Sequence, residues 1–138
     1  MSAPIVLGFD GSDHARAALA KTIELARATG APVVVVFAYY ISPLGGGDVR
    51  DYKQALERVA EHETSRAVAD LEAAGIAASA VHVSGKPGEA IVAVAAEVDA
   101  GMIVVGSPSR GPLTAAFLGS AVLDLVQRSP VPLLIVPV

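Results

Sequence analysis

Apolar residues along the chain come in short β-branched runs that alternate with longer stretches of three-to-four spacing. Ile5 to Phe9 is the first run, closed by Asp10-Gly11-Ser12-Asp13. Small polar residues of that kind end a strand and cap a helix, so the pattern predicts a strand running into a helix N-terminus. From His14 to Thr29 the positions Ala15, Ala18, Leu19, Ile23 and Ala26 recur at helical spacing, and Gly30 stands where that helix ends. Pro32 then opens Val33-Val34-Val35-Val36-Phe37-Ala38-Tyr39, an unbroken run that suits a strand buried on both faces of a parallel sheet.

The alternation continues to the end. Ser42 to Gly47 contains Pro43 and three glycines and predicts a flexible loop. A long helix is expected over Asp51 to Ala74, with Ala55, Val59, Ala67, Leu71 and Ala74 marking its buried side and Gly75 closing it. Ile76 to Val83 reads as a third strand, Ser84-Gly85-Lys86-Pro87-Gly88 leads into a helix from Glu89 to Val98, and Met102 to Val105 is a fourth strand. A loop from Gly106 to Leu118 precedes a helix that starts at Gly119 or Ser120 and runs to Arg128. Ser129-Pro130 breaks it, and Val131 to Val136 is the last strand. The order predicts an α/β fold: a five-stranded open parallel sheet, doubly wound, with helices on both faces, in the Rossmann-like manner. At 138 residues, one domain over 1–138 is expected.

Composition narrows the function. Ten basic and fourteen acidic residues give a net charge of −4, and the few aromatics do not alternate with Lys or Arg. Neither a basic face nor a stacking platform for nucleic acid is present. With no cysteine, disulfides, thiolate metal sites and thiol nucleophiles are excluded. The longest apolar run, Val33 to Ile41, has nine residues, and a membrane-spanning helix needs about 20. Met-Ser-Ala-Pro-Ile-Val at the start shows no cationic region and no cleavage site. A soluble, cytoplasmic protein with neither a membrane nor a nucleic-acid partner is expected.

Ligands of doubly wound sheets bind beyond the carboxyl ends of the strands, where the winding direction reverses. If strands one to three wind one way and strands four and five the other, strands one and four are neighbours. Asp10 and Gly106 then face one crevice. The segment from Gly106 to Ser120 is rich in small residues and ends at a helix start. Backbone N–H groups there favour a phosphate, glycines allow close approach, and Ser120 offers a hydroxyl. The plain alternatives are that Asp10 only caps a helix, and that Gly106 and Gly119 only leave a strand and start a helix. Ser84 to Gly88 is not a P-loop, because proline follows the lysine where Ser or Thr must hold Mg²⁺. His14, His62 and His82 lack metal-ligand spacing and read as solvated or packing residues. Gly106-Ser107-Pro108-Ser109-Arg110 fails the nucleophile-elbow pattern at its proline, and no catalytic constellation emerges.

The chain resembles the universal stress protein family in Val6-Leu7-Gly8-Phe9-Asp10-Gly11-Ser12, Ile103-Val104-Val105-Gly106-Ser107, Leu118-Gly119-Ser120 and Ser129-Pro130-Val131-Pro132-Leu133-Leu134-Ile135-Val136. The family's nucleotide-binding branch carries G-x2-G-x9-G-[S/T]. Gly106, Gly119 and Ser120 match it in spacing, and the second glycine falls on Ser109. A Cβ there costs about 1–2 kcal/mol if the loop turns left-handed, with Gly111 as the other place for that turn. The resemblance implies ATP, with Mg²⁺, or another adenine nucleotide such as cyclic AMP. It places Asp10 against the adenosine and the Ala38 backbone against adenine, with Gly106, Ser109, Gly111, Gly119 and Ser120 around the phosphates. Arg110 either grips a phosphate or is solvated.

The resemblance also implies a homodimer through the last strand, where Val131 to Val138 carries no charge and lies at a sheet edge in the assumed order. The function it implies is a nucleotide-dependent regulatory module of the stress response, at most a slow ATP hydrolase, since no base or arginine finger is evident. The alternative is a family member that binds no nucleotide and acts as a dimeric interaction module. A hydrolase of the related adenine-nucleotide group needs a phosphate loop after strand one, and Asp10-Gly11-Ser12-Asp13 is acidic instead.

Overall fold

The computed structural model describes residues 2–39, 49–108 and 119–137. Strands and helices alternate as β1 (Ile5–Gly8), α1 (Asp13–Thr29), β2 (Val33–Tyr39), α2 (Val49–Ala73), β3 (Ala78–Ser84), α3 (Pro87–Glu97), β4 (Met102–Gly106), α4 (Ser120–Arg128) and β5 (Leu133–Val136). All strand pairs are parallel, in the order β3-β2-β1-β4-β5. β1 and β4 are therefore neighbours, and the winding reverses between them as expected. The loop predicted over Ser42 to Gly47 lies outside the described residues.

The strands are in phase. Ile5 stands opposite both Val33 and Met102, so alternate residues of every strand share a face. On one face Ile5, Leu7, Val33, Val35 and Val104 pack with Ala18 and Leu19 of α1 and with Ala67 and Leu71 of α2. On the other, Val6, Val34, Val36, Ile103 and Val105 pack with Ile91 and Val94 of α3 and with Val122 and Leu125 of α4. Helices on both faces leave no side of β2 for polar residues, which is why its run is continuous.

The expected helix faces need correction. In α2 the buried positions are Ala60, Thr64, Ala67 and Leu71, whereas Ala55 and Val59 are exposed. A buried threonine hid the stripe. The Thr64 hydroxyl donates to the Ala60 carbonyl at 2.7 Å and lies 2.8 Å from His82 Nε2 on β3, so its polar atom is satisfied inside the core. In α1, Thr22 is likewise fully buried, with its hydroxyl on the Ala18 carbonyl, and Ile23 is only partly buried.

Boundaries moved for local reasons. β3 begins at Ala78, because the Ile76 N–H still closes the end of α2 on the Leu71 carbonyl. α3 begins at Pro87, a residue whose missing N–H costs nothing at the first helical position. β5 begins at Leu133, because the Val131 N–H is taken by the Ser129 hydroxyl and Pro132 has none to give. Among the described residues no helix is long and apolar enough to cross a membrane.

Candidate functional site

A cavity of about 330 Å³ opens where β1 and β4 end side by side. β1 and its exit supply Gly8, Phe9 and Asp10, and the first turn of α1 supplies His14 and Ala15. Val36 and Ala38 come from β2, Pro87 and Ile91 from α3, and Val105, Gly106 and Pro108 from β4 and its exit. Gly119, Ser120, Ala121, Val122 and Leu125 complete the wall from α4. Five of the sequence-predicted residues, Asp10, Ala38, Gly106, Gly119 and Ser120, thus meet in one place. Ser109, Arg110 and Gly111 lie outside the described residues.

The turn between β1 and α1 is tied by side chains. Asp10 Oδ1 accepts the Ser12 N–H at 3.0 Å and also the Ser12 hydroxyl proton. Ser12 Oγ in turn accepts the Ala15 N–H at 3.2 Å, which makes Ser12, not Asp10, the cap of α1. His14 Nε2 lies 3.0 Å from Ser12 Oγ and 3.9 Å from Asp10 Oδ2. Asp10 therefore spends one oxygen on the turn. Its side chain is 59% exposed, and Oδ2 stays outside the turn's hydrogen bonds.

The two motif glycines are required for different reasons. A Cβ on Gly106 would run into the His14 backbone carbonyl, so glycine there lets the start of α1 pack on the end of β4. That is a packing role, sufficient without any ligand. Gly119 has φ 83° and precedes α4, and a Cβ on it would come 2.9 Å from Pro108 Cγ. As a cap it offers no side-chain acceptor to the first N–H groups of α4.

Sequence reasoning missed His14, Pro87 and the apolar wall. The spacing Asp10-x-Ser12-x-His14 was the available signal for the histidine, and it matches no metal or catalytic rule. Pro87 belongs to the stretch rejected as a P-loop. His62 is exposed and His82 packs on Thr64, as expected for both. Among the described residues no group of three His, Asp or Glu is placed to hold a metal ion.

The model of the universal stress protein family matches residues 1–137. The chain belongs to that family. A universal stress protein of Thermus aquaticus is 35% identical to it over 133 residues, 96% of each chain. Among solved structures, a universal stress protein in complex with cAMP is 29% identical, covers 97% of this chain and 95% of its own, and superposes with a TM-score of 0.70. The universal stress protein from Archaeoglobus fulgidus in complex with dAMP is 28% identical, covers 97% of both chains, and also has a TM-score of 0.70.

Proposed function

We propose that this universal stress protein binds an adenine nucleotide in the cavity between β1, β4 and α4, and acts as a nucleotide-dependent regulatory module rather than turning the nucleotide over. The observation that supports it is convergence: Asp10, Ala38, Gly106, Gly119 and Ser120, far apart in sequence, line one cavity. The chemistry of the lining suits such a ligand. Val36, Ile91, Val105 and Val122 offer an apolar wall to a flat base. Asp10 Oδ2 is an acceptor for a sugar hydroxyl, and the glycine-capped start of α4 with Ser120 is a seat for a phosphate.

The ligands of the two solved relatives share adenine and one phosphate and differ around the sugar's 2′ and 3′ positions. Adenine plus the first phosphate is accordingly the part this cavity is proposed to read. ATP with Mg²⁺ is the finer version, in which Ser109, Arg110 and Gly111 join the phosphate side. Denaturing the purified protein and identifying what it releases by mass spectrometry tests the reading, together with calorimetric titration of cAMP, AMP and ATP. Release of an adenine nucleotide, or saturable binding of any of the three, supports it. No release and no heat with all three overturns it and leaves the interaction-module reading.

One observation favours an assembly role in either case. β5 is an edge strand, and Leu133, Leu134 and Ile135 on it are only partly buried. We infer a homodimer in which β5 pairs antiparallel with its copy, an arrangement that is self-complementary and closes. Pro132 and Pro137 confine the ladder to the four residues of β5. Light scattering at micromolar concentration should give a dimer mass, and either Leu134→Lys or Ile135→Lys should reduce it to a monomer. A monomeric wild type refutes the pairing, as does a dimer that survives both changes.

A further inference from the structure

We propose that Glu63, on α2 and outside the cavity, is a positioning residue for the nucleotide site, packing against Gly11 and so holding Asp10 at the ligand's sugar hydroxyls; the proposal rests on the nucleotide reading above. The turn that carries Asp10 is anchored at both ends. Before it, the buried Phe9 donates its N–H to the Val36 carbonyl at 2.9 Å. After it, Ser12 caps α1. Gly11 between them has φ 83°, and glycine adopts negative φ about as readily. The residue type permits this conformation without selecting it.

What fills the space beside Gly11 is Glu63. A Cβ on Gly11 would come 2.8 Å from Glu63 Cδ, 2.9 Å from its Oε2 and 3.0 Å from its Cγ. The carboxylate thus lies where a side chain of residue 11 would stand, and it blocks a swing of the turn toward α2. Glu63 is held in turn from α1, since Arg16 Nη2 is 3.6 Å from Oε2. Oε2 is buried with no hydrogen bond among the described residues, a placement that costs stability. Arg16 is 45% exposed, so the ion pair adds little, and shape rather than charge is what Glu63 offers Gly11. Glu63 lines a separate cavity of about 210 Å³ between α1 and α2, not the nucleotide cavity, so it acts through Gly11. Asp10 Oδ1 reaches across Gly11 to Ser12, which makes the turn one unit. When that unit loses its support it pivots, and Asp10 Oδ2 loses its fixed place.

AMP and 2′,3′-dideoxyadenosine monophosphate differ only in the sugar hydroxyls, so their affinity ratio reads the Asp10 contact. Calorimetric titration of the full chain should show wild type preferring AMP about tenfold, the scale of one hydrogen bond to a charged acceptor. Asp10→Ala should abolish that preference. Glu63→Ala should bring the ratio close to one, whereas Glu63→Gln, which keeps the shape, should retain it. A merely structural loss would weaken both nucleotides alike and leave the ratio untouched. The double variant should lose no more preference than Asp10→Ala alone, because both changes act on one contact. Glu63→Asp withdraws the carboxylate from Gly11 and gives the same loss by a second route if Glu63→Ala does not fold. A wild-type ratio in Glu63→Ala or Glu63→Asp overturns the proposal, as does a Glu63→Gln variant that loses the preference. AMP binding without any wild-type preference overturns the Asp10 sugar contact and this proposal but leaves the nucleotide reading, whereas no binding of cAMP, AMP or ATP overturns all three.

Discussion

Helices α1 and α4 both begin at the cavity, and they begin in opposite ways. α1 is closed by its own chain: Ser12 caps it, Asp10 holds Ser12, and His14 leans on the pair. α4 starts from Gly119, which brings no side chain to its first N–H groups. At the start of α1 a side chain takes the Ala15 N–H, and at the start of α4 the cap residue has none to offer. The contrast shows how two helix N-termini in one fold, with the same backbone dipole, differ by a single cap residue, and the proposed phosphate seat is the one whose cap has no side chain.

Three changes test that contrast. The largest effect is expected where the two starts are held together: Gly106→Ala drives a Cβ into the His14 carbonyl and should cost about 3 kcal/mol of stability in urea unfolding, at the upper end for overpacking. A loss near zero would mean that α1 is free to shift. Next, Gly119→Val places a branched side chain at φ 83° at the open start, at a conformational cost of about 1–2 kcal/mol. It should also weaken cAMP binding at least tenfold, or about 1.4 kcal/mol; unchanged affinity would remove α4 from the site. Smallest, Ser12→Ala strips the cap from α1 and should lower stability by about 1 kcal/mol. If Ser12→Ala damages affinity more than Gly119→Val does, the start of α1 and not that of α4 carries the proposed contact.

Much of this was legible in the sequence because it depended on runs rather than on contacts. The unbroken Val33 to Phe37 run signals a strand covered on both faces, and the alternation of elements leads to a parallel sheet with β1 beside β4. The crevice follows from that topology. The buried face of α2 was not legible. Its alanines bury too little area to set a phase, and Thr64 enters the core because His82 and the Ala60 carbonyl satisfy its hydroxyl. Gly106 lines the cavity, and its missing Cβ also makes room for the His14 carbonyl, a packing contact that no motif spacing encodes. His14 sits with its Nε2 against Ser12 and near Asp10, and no spacing rule encodes that.

The central position of β1 has a consequence for how the chain is made. Ile5 pairs with Val33, 28 positions later, and with Met102, 97 positions later. The strand synthesised first is thus the middle of the finished sheet. It gains one neighbour early and waits for the other until residues 102–106 of the 138 have been made. Closing so distant a pair is slow, because loop entropy must be overcome before the contact rewards it. Until then β1 shows an unpaired edge carrying Val6 and Leu7, residues that are fully buried once β4 arrives. A ribosome stalled after α3 would hold β1, β2 and β3 with the future centre of the sheet still bare, and this intermediate is the one most exposed to aggregation.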